Sequence, residues 1–229
     1  MKRILLRPPG TSGIHLPTVR AAAVALGRYA VDDGRGRAVG DPVHEQITEG
    51  RRLQYERALA AGAEWARKMP AGYSSCGDLA HWLLLCLGVR NETTLNRGDD
   101  GGVHPWLAGP NMSRLVRSPW YVPASERGMP DDGDILHVAA PDHVSVLLEQ
   151  VSPDQWLTAD YGQPDGRQRV CQVRDVSQGI MVRGRVLQGW VSLGLLATSG
   201  ALVESAIVPD DFVGGTPDDN PHPEDGVRV

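Results

Sequence analysis

The chain has 229 residues, with 23 lysines and arginines against 28 acids and a formal net charge of −5. Hydrophobic residues make up 41% and charged residues 22%, ordinary globular proportions that supply a core without staples. No apolar run approaches the ~18 residues of a membrane span. The acidic balance argues against a partner held through nucleic-acid phosphates, and no unit of roughly 20–50 residues repeats.

Residues 1–17 read as an irregular arm punctuated by Pro8, Pro9, Gly10, Gly13 and Pro17. With three consecutive apolar residues at Ile4–Leu6, the start falls short of the ~7–15 that a secretory signal needs. The expectation is synthesis in the cytoplasm, with any export by injection, phage-mediated release or another non-classical route. Thr18–Val31 is alanine-rich and apolar, a predicted helix ended by Asp32-Asp33-Gly34. Asp41-Pro42 reads as an N-cap followed by proline at the first helical position, opening a long helix to about Met69. Pro70-Ala71-Gly72 breaks the chain. Cys76–Gly88 then forms a dense apolar helix, capped by Ser74 or Ser75, with Asp78 in its first turn and Gly88 at its end. Residues 89–130 read as a long connection carrying Trp106, Trp120 and Tyr121.

From residue 131 the period changes from helical to alternating. Strands are predicted over 134–139, 143–149, 155–161, 169–173, 186–193 and 202–208, separated by Pro141-Asp142, Ser152-Pro153-Asp154 and Pro164-Asp165-Gly166. Helices followed by an antiparallel meander predict an α+β domain. Residues 209–229 carry six acids, one arginine and four prolines, a composition that predicts a disordered acidic tail.

Three cysteines without a CxxC, Cys76, Cys86 and Cys171, give neither a disulfide framework nor a zinc site. No cofactor or metal is expected. Cys76 opens a buried helix, where the positive end of the helix dipole lowers a thiol pKa. His143 begins a strand, and Asp160 ends the next one. If these two strands pair as a hairpin, the strand ends meet and Asp160 can hydrogen-bond one nitrogen of His143. The other nitrogen is then left to face the thiol. Such a thiol–imidazole–carboxylate set attacks amide or ester carbonyls, with N–H groups at the start of the Cys76 helix as oxyanion donors.

Tyr73-Ser-Ser-Cys76-Gly-Asp-Leu-Ala-His-Trp-Leu-Leu84 resembles the nucleophile helix of NlpC-type and CHAP-type cysteine peptidases and amidases. Gly133-Asp134-Ile135-Leu136 resembles the strand before their histidine, and His143–Leu148 resembles the histidine strand itself. Asp160 falls where those families carry their third polar residue. The resemblance spans roughly residues 70–195, in the unpermuted order Cys, His, polar. It implies a papain-like fold, a nucleophile helix packed on an antiparallel sheet. It divides the chain into an N-terminal arm and helical extension (1–69), a hydrolase domain (70–208) and the tail (209–229). It also implies cleavage of amide bonds in peptidoglycan or peptides, as an endopeptidase or N-acetylmuramoyl-L-alanine amidase. Cys76, His143 and Asp160 become the catalytic candidates, with Tyr73, Ser75 and Gln163 at the oxyanion and substrate contacts. Ser75 stands where NlpC-type members typically have Asp.

Other readings stand beside this one. His137 competes with His143 as the base, and Gln163 or Tyr161 with Asp160 as the orienting group. Cys86 and Cys171 read as core thiols and His81 as structural. Trp106, Trp120, Tyr121 and Trp156 line either a substrate groove or the core. His137, Asp142, His143 and Asp160 could be grouped as metal ligands, but their spacing supports no such site. The alternatives in function are a non-catalytic module of a phage or secretion assembly, and a protein deamidase or acyltransferase toxin.

Overall fold

The computed structural model describes residues 1–31, 42–67, 76–89, 116, 118–126, 128–139, 143–162, 167–176 and 179–214. The chain opens with β1 (Lys2–Leu5), α1 (Leu16–Val31), α2 (Pro42–Ala60), α3 (Glu64–Arg67) and α4 (Cys76–Cys86). The strands β2 (Tyr121–Pro123), β3 (Ile135–Ala139), β4 (His143–Ser152), β5 (Gln155–Asp160), β6 (Arg167–Val176), β7 (Gly179–Val182) and β8 (Arg185–Val191) follow. The chain then forms α5 (Leu193–Thr198) and β9 (Ser205–Val208), which pairs antiparallel with β1.

The expected papain-like α+β fold, a helix packed on an antiparallel sheet, is overturned. Six consecutive antiparallel strands, β3 to β8, close into a barrel, because β8 pairs with β7 on one side and β3 on the other. The closed barrel is the centre of the architecture, and α1 and α4 pack against its outside. Alternating hydrophobicity fixes each strand and each hairpin, but not whether the first and last strands meet. Register shifts do the bending here, at His137/Val138 between β3 and β8 and at two points between β4 and β5. Closure gives each of the six strands a neighbour on both sides over at least part of its length, and β2 pairs with the end of β8, Gly189–Val191, on the edge opposite β3.

The barrel separates two apolar cores. Inside, Leu136, Leu147, Trp156, Val173, Leu187 and Trp190 fill the lumen, as side chains must in so narrow a barrel. Outside, Ile135, Val144, Val146 and Leu148 meet Ala22, Ala23 and Leu26 of α1 and Leu79, Leu83 and Leu84 of α4. Strands β3 and β4 are therefore buried on both faces over much of their length, which is why their sequences read as nearly continuous apolar runs. Of the segment read as an acidic tail, residues 209–214 lie beside the body, where Lys2 Nζ donates to the carbonyl of Phe212 at 2.8 Å. Residues 215–229 lie outside the described residues. Among the described residues, no helix is long and apolar enough to cross a membrane.

Gly133 and Asp134 lock the entry to β3. Buried Asp134 accepts N–H groups from Asp131 and from Leu193 at the start of α5, at 3.0 and 2.9 Å. Arg20 of α1 reaches the same corner through Asp131 and the carbonyl of Asp132. Gly133 holds φ +87°, and a Cβ there would meet Leu193 at 2.9 Å and Ala23 at 3.0 Å. Gly200 also has positive φ, +73°, but nothing lies within 4 Å of its Cβ position. Gly200→Ala should therefore cost about 1 kcal/mol, the left-handed penalty alone. Gly133→Ala should cost roughly 2–4 kcal/mol, because overpacking adds to that penalty. Thermal melts of the two variants check the order; equal losses would refute the close-packed corner.

Candidate active site

The site forms at one mouth of the barrel. β4 begins there with His143, β5 ends there with Asp160, and the β7–β8 turn closes over it. Cys76 is the first residue of α4, which packs against β4 from outside. The first turn of a helix has N–H groups without intrahelical partners and the positive end of the dipole. The nucleophile candidate thus begins the helix at its electropositive end. Tyr73, Ser75 and Gln163, the oxyanion and substrate-contact candidates, lie outside the described residues, as does Trp106.

The structure brings Cys76, His143 and Asp160 together. His143 Nε2 lies 2.7 Å from Asp160 Oδ1. With that nitrogen engaged, Nδ1 is the ring nitrogen left for the thiol, and Cys76 and His143 lie close enough that each shifts the titration of the other. The backbone N–H of Val144 also points to the sulfur. This follows from strand pairing: β4 and β5 are neighbours in the barrel, and alternation turns His143, Ser145, Thr158 and Asp160 to its interior.

Burial would raise the Cys76 thiol pKa. The hydrogen bond and charge of His143, with the Val144 N–H, outweigh it and bring the pKa below its ordinary value, although Asp78 opposes them. Burial would likewise lower the pKa of His143. Its hydrogen bonds to Asp160 and Cys76, and their charges, raise it instead. The two shifts favour a thiolate–imidazolium pair. Cys86, at the other end of α4, has burial without such partners and is pushed up to about 12.

Asp160 is 1% exposed. Burial would raise its pKa, but hydrogen bonds from His143 and Arg183, the charge of Arg183 and a bond from Thr158 hold it well below the usual carboxylate range. Ser145 Oγ donates to Oδ1 at 2.8 Å and Thr158 Oγ1 to Oδ2 at 2.7 Å. Arg183 bonds both carboxylate oxygens.

Arg183, Ser145 and Thr158 were not among the sequence candidates. Ser145 and Thr158 carried a usable signal, since each stands two residues from a candidate on the same strand face. Arg183 carried only a weak one, an Arg-Gly step between two short apolar runs.

The competing candidates sit elsewhere. His137 Nδ1 pairs with Tyr121 Oη at 2.9 Å. Tyr161 is buried, with its hydroxyl on His44 Nδ1. His81 is buried in α4, and Trp120 and Trp156 are buried in the two cores. Cys171 is buried in the barrel, 3.3 Å from Thr158 Oγ1. Asp142 lies outside the described residues, and among the described ones no cluster of three or more metal-ligating side chains forms.

The arrangement holds a thiol, an imidazole and a carboxylate in the order that a thiol nucleophile, its base and an orienting acid require. The chain matches no family model, no curated protein and no solved structure. Function is therefore read from these side chains.

Iodoacetamide should label Cys76 well below pH ~8.5, the ordinary thiol value, because its thiolate persists down to its lowered pKa and is lost only as pH falls through it. Cys86 should stay unlabelled across the same range. Peptide mapping by mass spectrometry reads both; Cys76 labelling no faster than Cys86 would refute the activated thiolate.

Proposed function

We propose that this protein is a cysteine hydrolase of amide bonds. The observation that carries the proposal is the series Cys76–His143–Asp160, in which Asp160 holds His143 at 2.7 Å and His143 and Cys76 shift the thiol pKa down and the imidazole pKa up. The thiolate of Cys76 attacks the amide carbonyl and forms the carbon–sulfur bond. The carbonyl oxygen takes up the electron pair as an oxyanion, facing N–H donors at the start of α4. The carbon–nitrogen bond breaks as the His143 imidazolium gives its proton to the leaving amine. A water molecule then attacks the thioester, with neutral His143 as base, and releases the acid and the thiolate. Throughout, Asp160 fixes the ring orientation and balances the imidazolium charge.

Peptidoglycan is the first substrate to try, as stem-peptide cross-links or the N-acetylmuramoyl-L-alanine bond. The support is the likeness of the Cys76 and His143 segments to those of NlpC-type and CHAP-type amidases. It extends to the local chemistry and not to a papain-like overall architecture. The same series would also serve a glutamine deamidase or an acyltransferase, and product masses separate these from hydrolysis of a main-chain amide. A non-catalytic module has no use for a thiol held beside an imidazolium.

Cys76→Ala should reduce release of soluble fragments from purified peptidoglycan by at least roughly 10³-fold. Its melting temperature should stay within about 2 °C of wild type, since a half-buried thiol contributes little packing. Chromatography with mass detection reads the fragments. Wild-type hydrolysis by Cys76→Ala would overturn the assignment.

A further inference from the structure

Arg183 breaks a local rule. It is the sole non-glycine residue with positive φ among the described residues, at φ 58°, and Gly184 beside it has φ 72°. Together they form the two-residue turn between Val182 and Arg185, which face each other across the β7–β8 pair. Turns with two successive positive φ values favour Asn, Asp or Gly. An arginine there is strained, because its Cβ crowds the following carbonyl oxygen. Strain of this kind persists where surrounding contacts hold the residue in place.

Those contacts all lie in the barrel mouth. Nη1 and Nη2 fork onto the two oxygens of Asp160. Nη2 also reaches Thr158 Oγ1 at 2.7 Å, and Nε reaches Cys171 Sγ at 2.7 Å. Every guanidinium nitrogen is engaged. Other charge faces the same space from β6, where Arg167 is the register partner of Asp160 and Arg169 that of Thr158. From β4, His143 and Ser145 complete the shell around the carboxylate. With Cys76 as thiolate and His143 as imidazolium, the series runs negative, positive, negative, positive, and buried Asp78 in the first turn of α4 adds a negative charge beside Cys76.

We propose that Arg183 is a positioning residue: its fork holds Asp160 ionised and aimed at His143, and thereby sets how readily the Cys76 thiol reacts. The role rests on the Cys76–His143–Asp160 reading of the site. A buried carboxylate facing imidazole alone can take the imidazolium proton and leave two neutral groups; the bidentate guanidinium opposes that transfer by favouring the anion. An ammonium on a flexible stem supplies charge without the planar fork.

The test compares Arg183→Asn, which suits the turn, and Arg183→Lys with wild type. The rate of Cys76 labelling by iodoacetamide is followed between pH 5 and 9, with circular dichroism as the fold check. Arg183→Asn should move the acid limb up by about one pH unit, slowing labelling about tenfold along the lower part of that limb. Arg183→Lys should recover less than half of that shift. A folded Arg183→Asn protein with the wild-type profile, or full rescue by lysine, overturns the proposal. If Arg183→Asn does not fold, Asp160→Asn is added. Recovery of a cooperative melt then identifies the orphaned carboxylate as the cause and supports the fork, whereas a double variant that stays unfolded overturns it. Labelling needs no substrate. Absence of amide hydrolysis would sink the hydrolase reading alone, and unchanged labelling in Arg183→Asn with hydrolysis intact would sink this one alone.

Discussion

A negative charge inside a barrel is the constraint around which the site is built. Removing a carboxylate from water costs several kcal/mol unless partners replace the lost hydration. Asp160 has those partners on all sides: an imidazole from β4, two hydroxyls from β4 and β5, and a guanidinium from the β7–β8 turn. Each comes from a different point along the chain, so each element must be in place before the charge is tolerable. The closure of β8 on both β7 and β3 is what brings the turn over the carboxylate. Architecture and site chemistry therefore depend on each other.

The barrel lumen is divided accordingly. One part is apolar and anchored by Trp156 and Trp190, and the mouth is polar. Cys171 lies at the boundary, packed with the apolar cluster while its sulfur accepts the Arg183 Nε–H. The outer core serves a different end. It fixes α4 against β4, so that the sulfur at the head of one element reaches the imidazole at the head of the other.

Much of this was legible in the sequence, in a particular way. The helix at Cys76, the strands at His143 and Gln155, and the turn between those strands follow from local pattern, and they suffice to bring His143 and Asp160 together. Strand closure was not legible, because it depends on accumulated bend and register. β7, four residues long, gave too short an alternation to read. Arg183 was hidden for a related reason, since its importance lies in a contact across 23 residues of chain that no local period encodes. The Gly133-Asp134 pair has a structural role, tying α1, β3 and α5 together at one corner.

Closure also decides how a peptide can approach. Proteins that grip extended peptides often let them add as an extra strand, reading the main chain through ladder hydrogen bonds. Here the strands that carry His143 and Asp160 have both neighbours already in place. Among the described residues, a guest backbone therefore has no free edge of β4 or β5 themselves to join. On the proposed hydrolase reading, a substrate meets the reacting groups at the barrel mouth, between the head of α4 and the β7–β8 turn. On that reading, selectivity falls to side chains around the mouth, and sequence preference follows the shape and charge of a few substrate groups rather than the length of an extended segment.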